Sequence, residues 1–445
     1  MRTFRVREHG ILRPDEGASG PTPAEIEALL DTAAIAGRRL AVEPSPSNEA
    51  TPLAADDRVL VPARKGAVRA KGVVGVLVSD GATLEILPKV DREDDDRARR
   101  QLVHMLADAL DLPLHLGPDA LLAHQDRTLL DVVIAAFVAR LDEAVRRGLA
   151  RRYVPANDDL PVLRGRLDVR RQYTTLLAMP YRIACRFDEL SVDTPLNRSL
   201  KAALVLLRRH AREEPTRRAI LTLLPAFDGV RDRAADFPAA RRQIDRTDRA
   251  FHELLALAEL LMRSEYQGTS GGARGGIALL FDMPTLFERA IEKAMRRALS
   301  GRARVVAQPR SKALMTNPRS YTLKPDLLIE CGDFPPIVID TKWKHLDGAA
   351  RPAGADAYQM LAYAQGYEAR DCVLLYPTAG GEDGIVSTWL GRTLTGSRGP
   401  FEWKLHRATV ALNEWSEVPR RLSRLLGTLT GDYAHGVAPV AWPEP

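Results

Sequence analysis

One stretch, Tyr321 to Lys344 (YTLKPDLLIECGDFPPIVIDTKWK), limits what this chain can fold into more than any other part of it. Lys324-Pro325-Asp326 leads into a short apolar run, Leu327-Leu328-Ile329, and a break at Gly332, Asp333, Pro335 and Pro336 follows. A second apolar run, Ile337-Val338-Ile339, stops abruptly at Asp340-Thr341-Lys342. Two short β-type runs separated by turn residues predict a hairpin or neighbouring strands. Alternation along the second strand puts Asp340 and Lys342 on one face, Ile339 and Thr341 on the other.

Charged residues at the end of an apolar strand must face water or be held by partners. With the strand after Asp326 alongside, one patch holds two carboxylates and an ammonium. Two close carboxylates repel unless a cation sits between them, and oxygen ligands suit Mg²⁺. Such an ion lowers the pKa of a bound water, and a lysine beside it can hold that water and steady a negative transition state. Metal-dependent phosphodiester hydrolysis needs that set of parts. An Asp-x-Lys at a strand end also arises by chance, so the flanking segments carry weight.

Upstream, Thr285 to Leu299 places Leu286, Phe287, Ala290, Ile291, Ala294, Met295, Ala298 and Leu299 at helical spacing, with Pro284 where a helix start tolerates it. Glu288 lies at the edge of this stripe, four residues from the like-charged Glu292, which can instead reach Arg296. A solvated edge glutamate and a site glutamate both fit Glu288. Downstream, Asp356 to Tyr367 reads as a helix with Gln359 and Tyr363 on one face, able to meet a nucleotide or to close a core edge.

A helical Glu, Pro-Asp, a strand, Asp-Thr-Lys and a Gln-x-x-x-Tyr helix, in that order, resemble the PD-(D/E)xK nuclease superfamily, with a RecB-type last helix. The resemblance implies metal binding by Asp326 and Asp340 with Glu288 assisting, and a catalytic group completed by Lys342, Gln359 and Tyr363. Lys344 is a less favoured substitute for Lys342. The implied cofactor is Mg²⁺, with Mn²⁺ as a replacement.

At 445 residues the chain has room for two or three domains, and its 45% apolar and 27% charged content is that of a soluble globular protein. Val132 to Ala139 is far short of a membrane span, and the start has no apolar signal core. Cys185, Cys331 and Cys372 are scattered with no C-x-x-C pair, which argues against a disulfide scaffold or zinc ribbon and fits a reducing cytoplasm. Between residues 285 and 344 there are 12 Lys/Arg against 6 Asp/Glu, a surplus of +6 that matches the net charge of the whole chain. A phosphate polymer is the partner such a field attracts.

Along the chain, residues 1–92 read as a β-rich N-terminal domain with a helix over 24–36 and strands over 58–62, 67–78 and 83–90. Gly72, Gly75 and Gly81 fall in its expected turns, and 48–57 reads as a loop. Residues 93–270 read as a helical middle region (97–110, 129–149, 196–212, 214–232 and 239–265), with Thr194 or Asp193 capping the third helix. The arginines of Leu163 to Gln172 can contact phosphate, but pairing with Asp158, Asp159 and Asp168 is the preferred reading. Glycine-rich 268–276 reads as a linker before a C-terminal α/β nuclease core over 271–445. No phosphate loop occurs, and His345 reads as a surface residue. The fold class is multi-domain α+β.

Leu84–Lys89 (LEILPK), Leu163–Asp168 (LRGRLD), Asp188–Asn197 (DELSVDTPLN) and Met283–Glu288 (MPTLFE), ahead of the acidic cluster, resemble the McrC family. The similarity spans nearly the whole chain, weakest before about residue 55. It implies the nuclease subunit of a modification-dependent restriction system acting with McrB, a hexameric AAA+ GTPase that reads modified cytosine in DNA. The front part (1–92) would then dock to that motor and stimulate its GTP hydrolysis. Two rival readings are a non-catalytic adaptor that activates the GTPase and a stand-alone RecB-like repair exonuclease.

Overall fold

The computed structural model describes residues 2–15, 20–36, 59–79, 81–90, 94–111, 127–244, 249–266, 276–332, 334–344, 346, 351–380, 383–392 and 401–431. The loop expected over 48–57, His345 and the linker up to residue 275 lie outside these residues. The chain divides into two compact units: Met1–Leu129 together with Ser264–Pro445, and Leu130–Arg263.

The first unit holds a five-stranded sheet. Its strands are β1 (Arg2–Arg7), β2 (Val73–Val78), β3 (Ala82–Leu87), β4 (Gly276–Asp282) and a two-residue strand, Glu265–Tyr266. The order is β1-β3-β2-β4 and then Glu265–Tyr266, with only the β1–β3 pair parallel. β2 and β3 are buried on both faces: β2 is an unbroken apolar run around Gly75, and the buried Glu85 of β3 is paired with Arg99 at 2.7 Å. Gly75 lies inside β2 rather than in a turn. Its φ is +131°, and a Cβ there would stand 2.0 Å from the Leu279 carbonyl oxygen, so glycine is what lets β4 approach. Because β4 hydrogen-bonds to β2, the N-terminal sheet is completed from beyond residue 270. The compact units therefore do not follow boundaries at 92/93 and 270/271.

The same unit contains a six-stranded sheet: β5 (Arg304–Ala307), β6 (Leu327–Glu330), β7 (Ile337–Thr341), β8 (Asp371–Thr378), β9 (Gly384–Arg392) and β10 (Glu402–Ala411). Its order is β5-β6-β7-β8-β10-β9. β6 and β7 form the expected antiparallel hairpin, whereas β7, β8 and β10 run parallel. A parallel β7–β8 pair needs a crossover, and helix α2 (Gly354–Tyr367) supplies it. Met360, Tyr363, Ala364 and Tyr367 of that helix pack on Val338, Cys372 and Leu374.

Helix α1 (Met283–Ala298) precedes this sheet. Asp282 caps it, accepting from the Thr285 N–H at 3.0 Å and the Thr285 hydroxyl at 2.7 Å, and Pro284 sits in its first turn. Seven residues of the expected stripe, Leu286, Phe287, Ala290, Ile291, Ala294, Met295 and Leu299, are buried. Glu292 pairs with Arg296 at 2.8 Å, as the i,i+4 spacing predicts.

The second unit is not purely helical. Arg152–Leu160, Ile183–Ser191 and Arg166–Leu167 form a three-stranded antiparallel sheet between the helices Leu129–Arg147 and Pro195–His210. Thr194 caps the latter, its hydroxyl accepting from the Asn197 N–H at 3.2 Å. Of the basic segment, Arg171 pairs with Asp159 and Arg164 with Glu189. Asp168 takes Arg186 and caps the short helix Val169–Thr174. Ten of the 19 large apolar side chains exposed among the described residues fall between Tyr153 and Leu190, most of them on the short helix and loops that join the strands of this sheet. No helix of the described residues is long and apolar enough to cross a membrane.

Candidate active site

The β6–β7 hairpin brings the two aspartates to one end of the six-stranded sheet. Asp326, just before β6, is half-buried. Its Oδ2 accepts two bonds of 2.7 Å, from the Thr341 backbone N–H and from the Thr341 hydroxyl at the end of β7. Asp340, the preceding residue of β7, is 3% exposed. Its Oδ2 lies 2.6 Å from Lys342 Nζ in an ion pair yet accepts no well-formed hydrogen bond among the described residues.

Glu288 projects from α1 towards the same cluster. Gln308, held in a left-handed conformation (φ +43°) just after β5, donates to Glu288 Oε1 at 2.6 Å. The Gln308 backbone N–H donates to the Asp326 carbonyl at 2.9 Å, so one residue ties the two acidic segments together. Burial raises the pKa of Glu288, outweighing the bond from Gln308. Burial, then the charges of Asp340 and Glu288, hold Asp326 well above the usual carboxylate range. Burial also raises Asp340, in spite of Lys342 beside it.

Lys342 lies just past β7, where its backbone N–H still bonds to the Leu375 carbonyl of β8 at 2.8 Å. Burial works against its charge, but Asp340 and Asp356 hold the ammonium above its ordinary pKa. Nζ stands 3.5 Å from Asp356 Oδ1 and donates to Gln359 Oε1 at 3.2 Å. Gln359 in turn donates to the Tyr363 hydroxyl, which donates to the Lys324 carbonyl, each at 3.0 Å. Gln359 and the buried Tyr363 thus hold Lys342 and the lead into β6 in place. Lys344 is exposed and bonds to Asp356 Oδ2 at 2.7 Å, away from Asp340.

Asp356, Gln308 and Thr341 do not stand out in the sequence as site residues. Asp356 carries a signal all the same: with Gln359 and Tyr363 it makes an i, i+3, i+7 face on α2. Gln308 carries none, since its role depends on a left-handed turn between distant segments.

The donor set can be tested against a divalent ion. The charges of Asp340 and Glu288 raise the pKa of Asp326, and the buried Oδ2 of Asp340, though ion-paired with Lys342, accepts no well-formed hydrogen bond among the described residues. A hard cation satisfies both conditions at once. Among the described residues no three acidic, histidine or cysteine side chains stand close enough to form a complete ligand set. A divalent ion here would have Asp326 and Asp340 as its protein ligands and would need water or a phosphate oxygen to complete its shell, as Mg²⁺ sites commonly do.

In class, the chain is a restriction-system component: a family model described as "McrBC 5-methylcytosine restriction system component" matches residues 68–377. The chain belongs to this McrBC family, as the ordered motifs implied. A refined half-complex from a tetradecameric assembly of Thermococcus gammatolerans McrB AAA+ hexamers with bound McrC contains a similar chain. The TM-score is 0.72 at 22% identity, covering 96% of this chain and 100% of that one. A cryo-EM structure of the Thermococcus gammatolerans McrBC complex gives a TM-score of 0.53 at 25% identity, covering 67% of this chain and 88% of that chain. No curated protein matches the chain.

Proposed function

We propose that this chain is the Mg²⁺-dependent DNA endonuclease subunit of its restriction system, with a six-stranded PD-(D/E)xK-type core. The observation that carries the reading is the convergence of Asp326, Asp340 and Lys342 at the end of one hairpin, with Glu288 facing them across Gln308. Asp326 and Asp340 would hold the ion, which supplies Lewis-acid polarisation of the phosphodiester when bound. Thr341 orients Asp326 through two hydrogen bonds to a single oxygen, leaving the other free to turn to a ligand.

Lys342 places its ammonium beside the reacting phosphate, where it orients water and offsets developing negative charge. With its pKa raised, it stays charged at neutral pH and acts as a donor rather than as a base. Gln359 and Asp356 limit the positions Nζ can take.

The partner in this reading is a McrB-like AAA+ GTPase hexamer, which selects DNA carrying modified cytosine. The described residues hold no phosphate-loop sequence of their own. We place the docking surface on the exposed apolar side chains between Tyr153 and Leu190, where burial against a partner is most favourable, rather than on residues 1–92. Stimulation of GTP hydrolysis would act through the same contact.

The test is cleavage of duplexes with and without methylcytosine by the chain assembled with its AAA+ partner, in Mg²⁺ and in Mn²⁺. The reading expects metal-dependent cutting that Asp340→Ala abolishes. Undiminished cutting by that variant overturns it. GTPase stimulation without any cutting would make the chain an adaptor instead.

A further inference from the structure

Phosphodiester cutting makes no direct use of two family-like segments, LEILPK (84–89) in the N-terminal sheet and the part of MPTLFE that precedes Glu288. Both lead to Trp343, the residue after Lys342. Its indole N–H donates to Glu8 Oε2 at 2.7 Å in a buried contact. Its ring packs on Phe287, with centroids 5.2 Å apart and planes tilted by 54°. Glu8 is 4% exposed and follows β1, whose pairing with β3 continues through the Glu8 N–H to the Leu87 carbonyl at 2.9 Å. Its other oxygen, Oε1, faces Lys89 Nζ at 3.5 Å and His9 Nε2 at 3.1 Å.

We propose that Glu8 is a positioning residue for the nuclease centre, acting through Trp343 to set where Lys342 and Glu288 stand. Resting on the nuclease reading, this makes the N-terminal sheet part of the active-site frame. One indole touches the neighbours of both groups: it follows Lys342 in the chain, and it stacks on the residue before Glu288. Lys342 lies just past the last residue of β7, where its backbone N–H bond to the Leu375 carbonyl is its tie to the sheet. The bond to Glu8 supplies a second anchor one residue further on. A buried carboxylate bonded to an indole N–H cannot release it without leaving both groups unsatisfied. Lys89, from LEILPK, pairs with the other oxygen of Glu8 and helps to fix its carboxylate. Displacement of a positioned group by about 1 Å can cost about a hundredfold in rate.

The experiment uses the chain assembled with its AAA+ partner, a methylcytosine-containing duplex and saturating Mg²⁺. Single-turnover cutting and backbone hydrogen exchange over residues 340–344 are read in parallel. Glu8→Ala should slow cutting by about tenfold or more and speed exchange over 340–344, while β8 exchanges as before. Trp343→Phe, which keeps the ring on Phe287 but has no N–H, should do the same. The double variant should be no slower than either single one, because both remove one bond. Glu8→Gln, whose amide oxygen still accepts, should restore cutting to within about threefold.

If the wild type cuts and Glu8→Ala and Trp343→Phe cut equally well, the positioning role is overturned while the nuclease reading stands. Slowed cutting with unchanged exchange over 340–344 also overturns it. A wild type that cuts in neither Mg²⁺ nor Mn²⁺ refutes the nuclease reading, and the positioning role falls with it.

Discussion

Asp193 in the second unit and Asp340 in the first are both largely buried carboxylates beside a cation, yet they are served very differently. Asp193 accepts from Arg198 Nε at 2.6 Å, Arg198 Nη2 at 2.7 Å and the Arg231 backbone N–H at 3.1 Å, with the Arg231 guanidinium on Oδ2 as well. Those bonds, led by Arg198, outweigh burial and hold its pKa far below the usual range. Among the described residues Asp340 is ion-paired with Lys342 alone, and burial wins. Asp326, with Asp340 and Glu288 nearby, is pushed up further. Asp193 needs nothing more; it is a fastener between the start of one helix and a following loop. The Asp326–Asp340 pair is short of positive charge, and a site built to receive a cation has that imbalance.

The largest effect that can break this contrast is on cutting. Asp340→Asn or Asp326→Asn should lower the cleavage rate by about 10³-fold or more, and Lys342→Ala by about 10²-fold or more, in single-turnover assays. A rate unchanged by Asp340→Asn would place the two aspartates in the same structural role.

Next comes stability in the second unit. Asp193→Asn should cost about 2–4 kcal/mol by denaturant titration, because it leaves two arginines facing a neutral group. Asp340→Asn should do the opposite in metal-free protein and stabilise by about 1 kcal/mol, since it removes a buried charge whose desolvation outweighs its pairing with Lys342. Destabilisation by both would erase the distinction.

Dependence on pH sharpens it further, because the two signs are opposite. A depressed pKa means that the Asp193 contribution is present above the unfolded pKa and lost as pH falls through the folded value. A raised pKa means that Asp326 and Asp340 favour folding in their protonated form, and that this benefit is lost as pH rises through the folded value. Metal-free Asp340→Asn should therefore be stabilising at neutral pH, with the gain shrinking as pH falls through the acidic range. The smallest effect expected is that of Gln359→Ala, about tenfold in cutting rate with little loss of stability, because Lys342 keeps Asp340 and Asp356.

How much could be read in advance follows the same division. The β6–β7 hairpin, the stripe of α1 and the Glu292–Arg296 pair follow from local spacing, and residues within one turn or one hairpin suffice to specify them. Asp326 and Asp340 stood out because each borders an apolar run, where a charge needs a reason, whereas Glu288 at the edge of a helical stripe did not separate itself from a solvated glutamate. The sheet of the second unit was not legible. Asn157-Asp158-Asp159 and Arg186-Phe187-Asp188-Glu189 carry so many charges that no apolar alternation marks them as strands, and their pairing closes across a long intervening segment. The place of β4 beside β2 was hidden for a related reason: Gly75 reads as a turn until the strand that needs the space is known. Gln308 and Glu8 act on the site from distant positions, through contacts that only the folded chain creates.

The central claim, that Asp326 and Asp340 form a divalent-cation site, is tested most directly by titrating the metal-free protein with Mn²⁺ in a calorimeter at neutral pH, in buffers of different ionisation enthalpy. The account predicts saturable binding accompanied by proton release, because carboxylates with raised pKa values give up protons to the ion, and loss of that binding in both Asp326→Asn and Asp340→Asn. Binding of equal strength in the two variants, or none in the wild type, would contradict it.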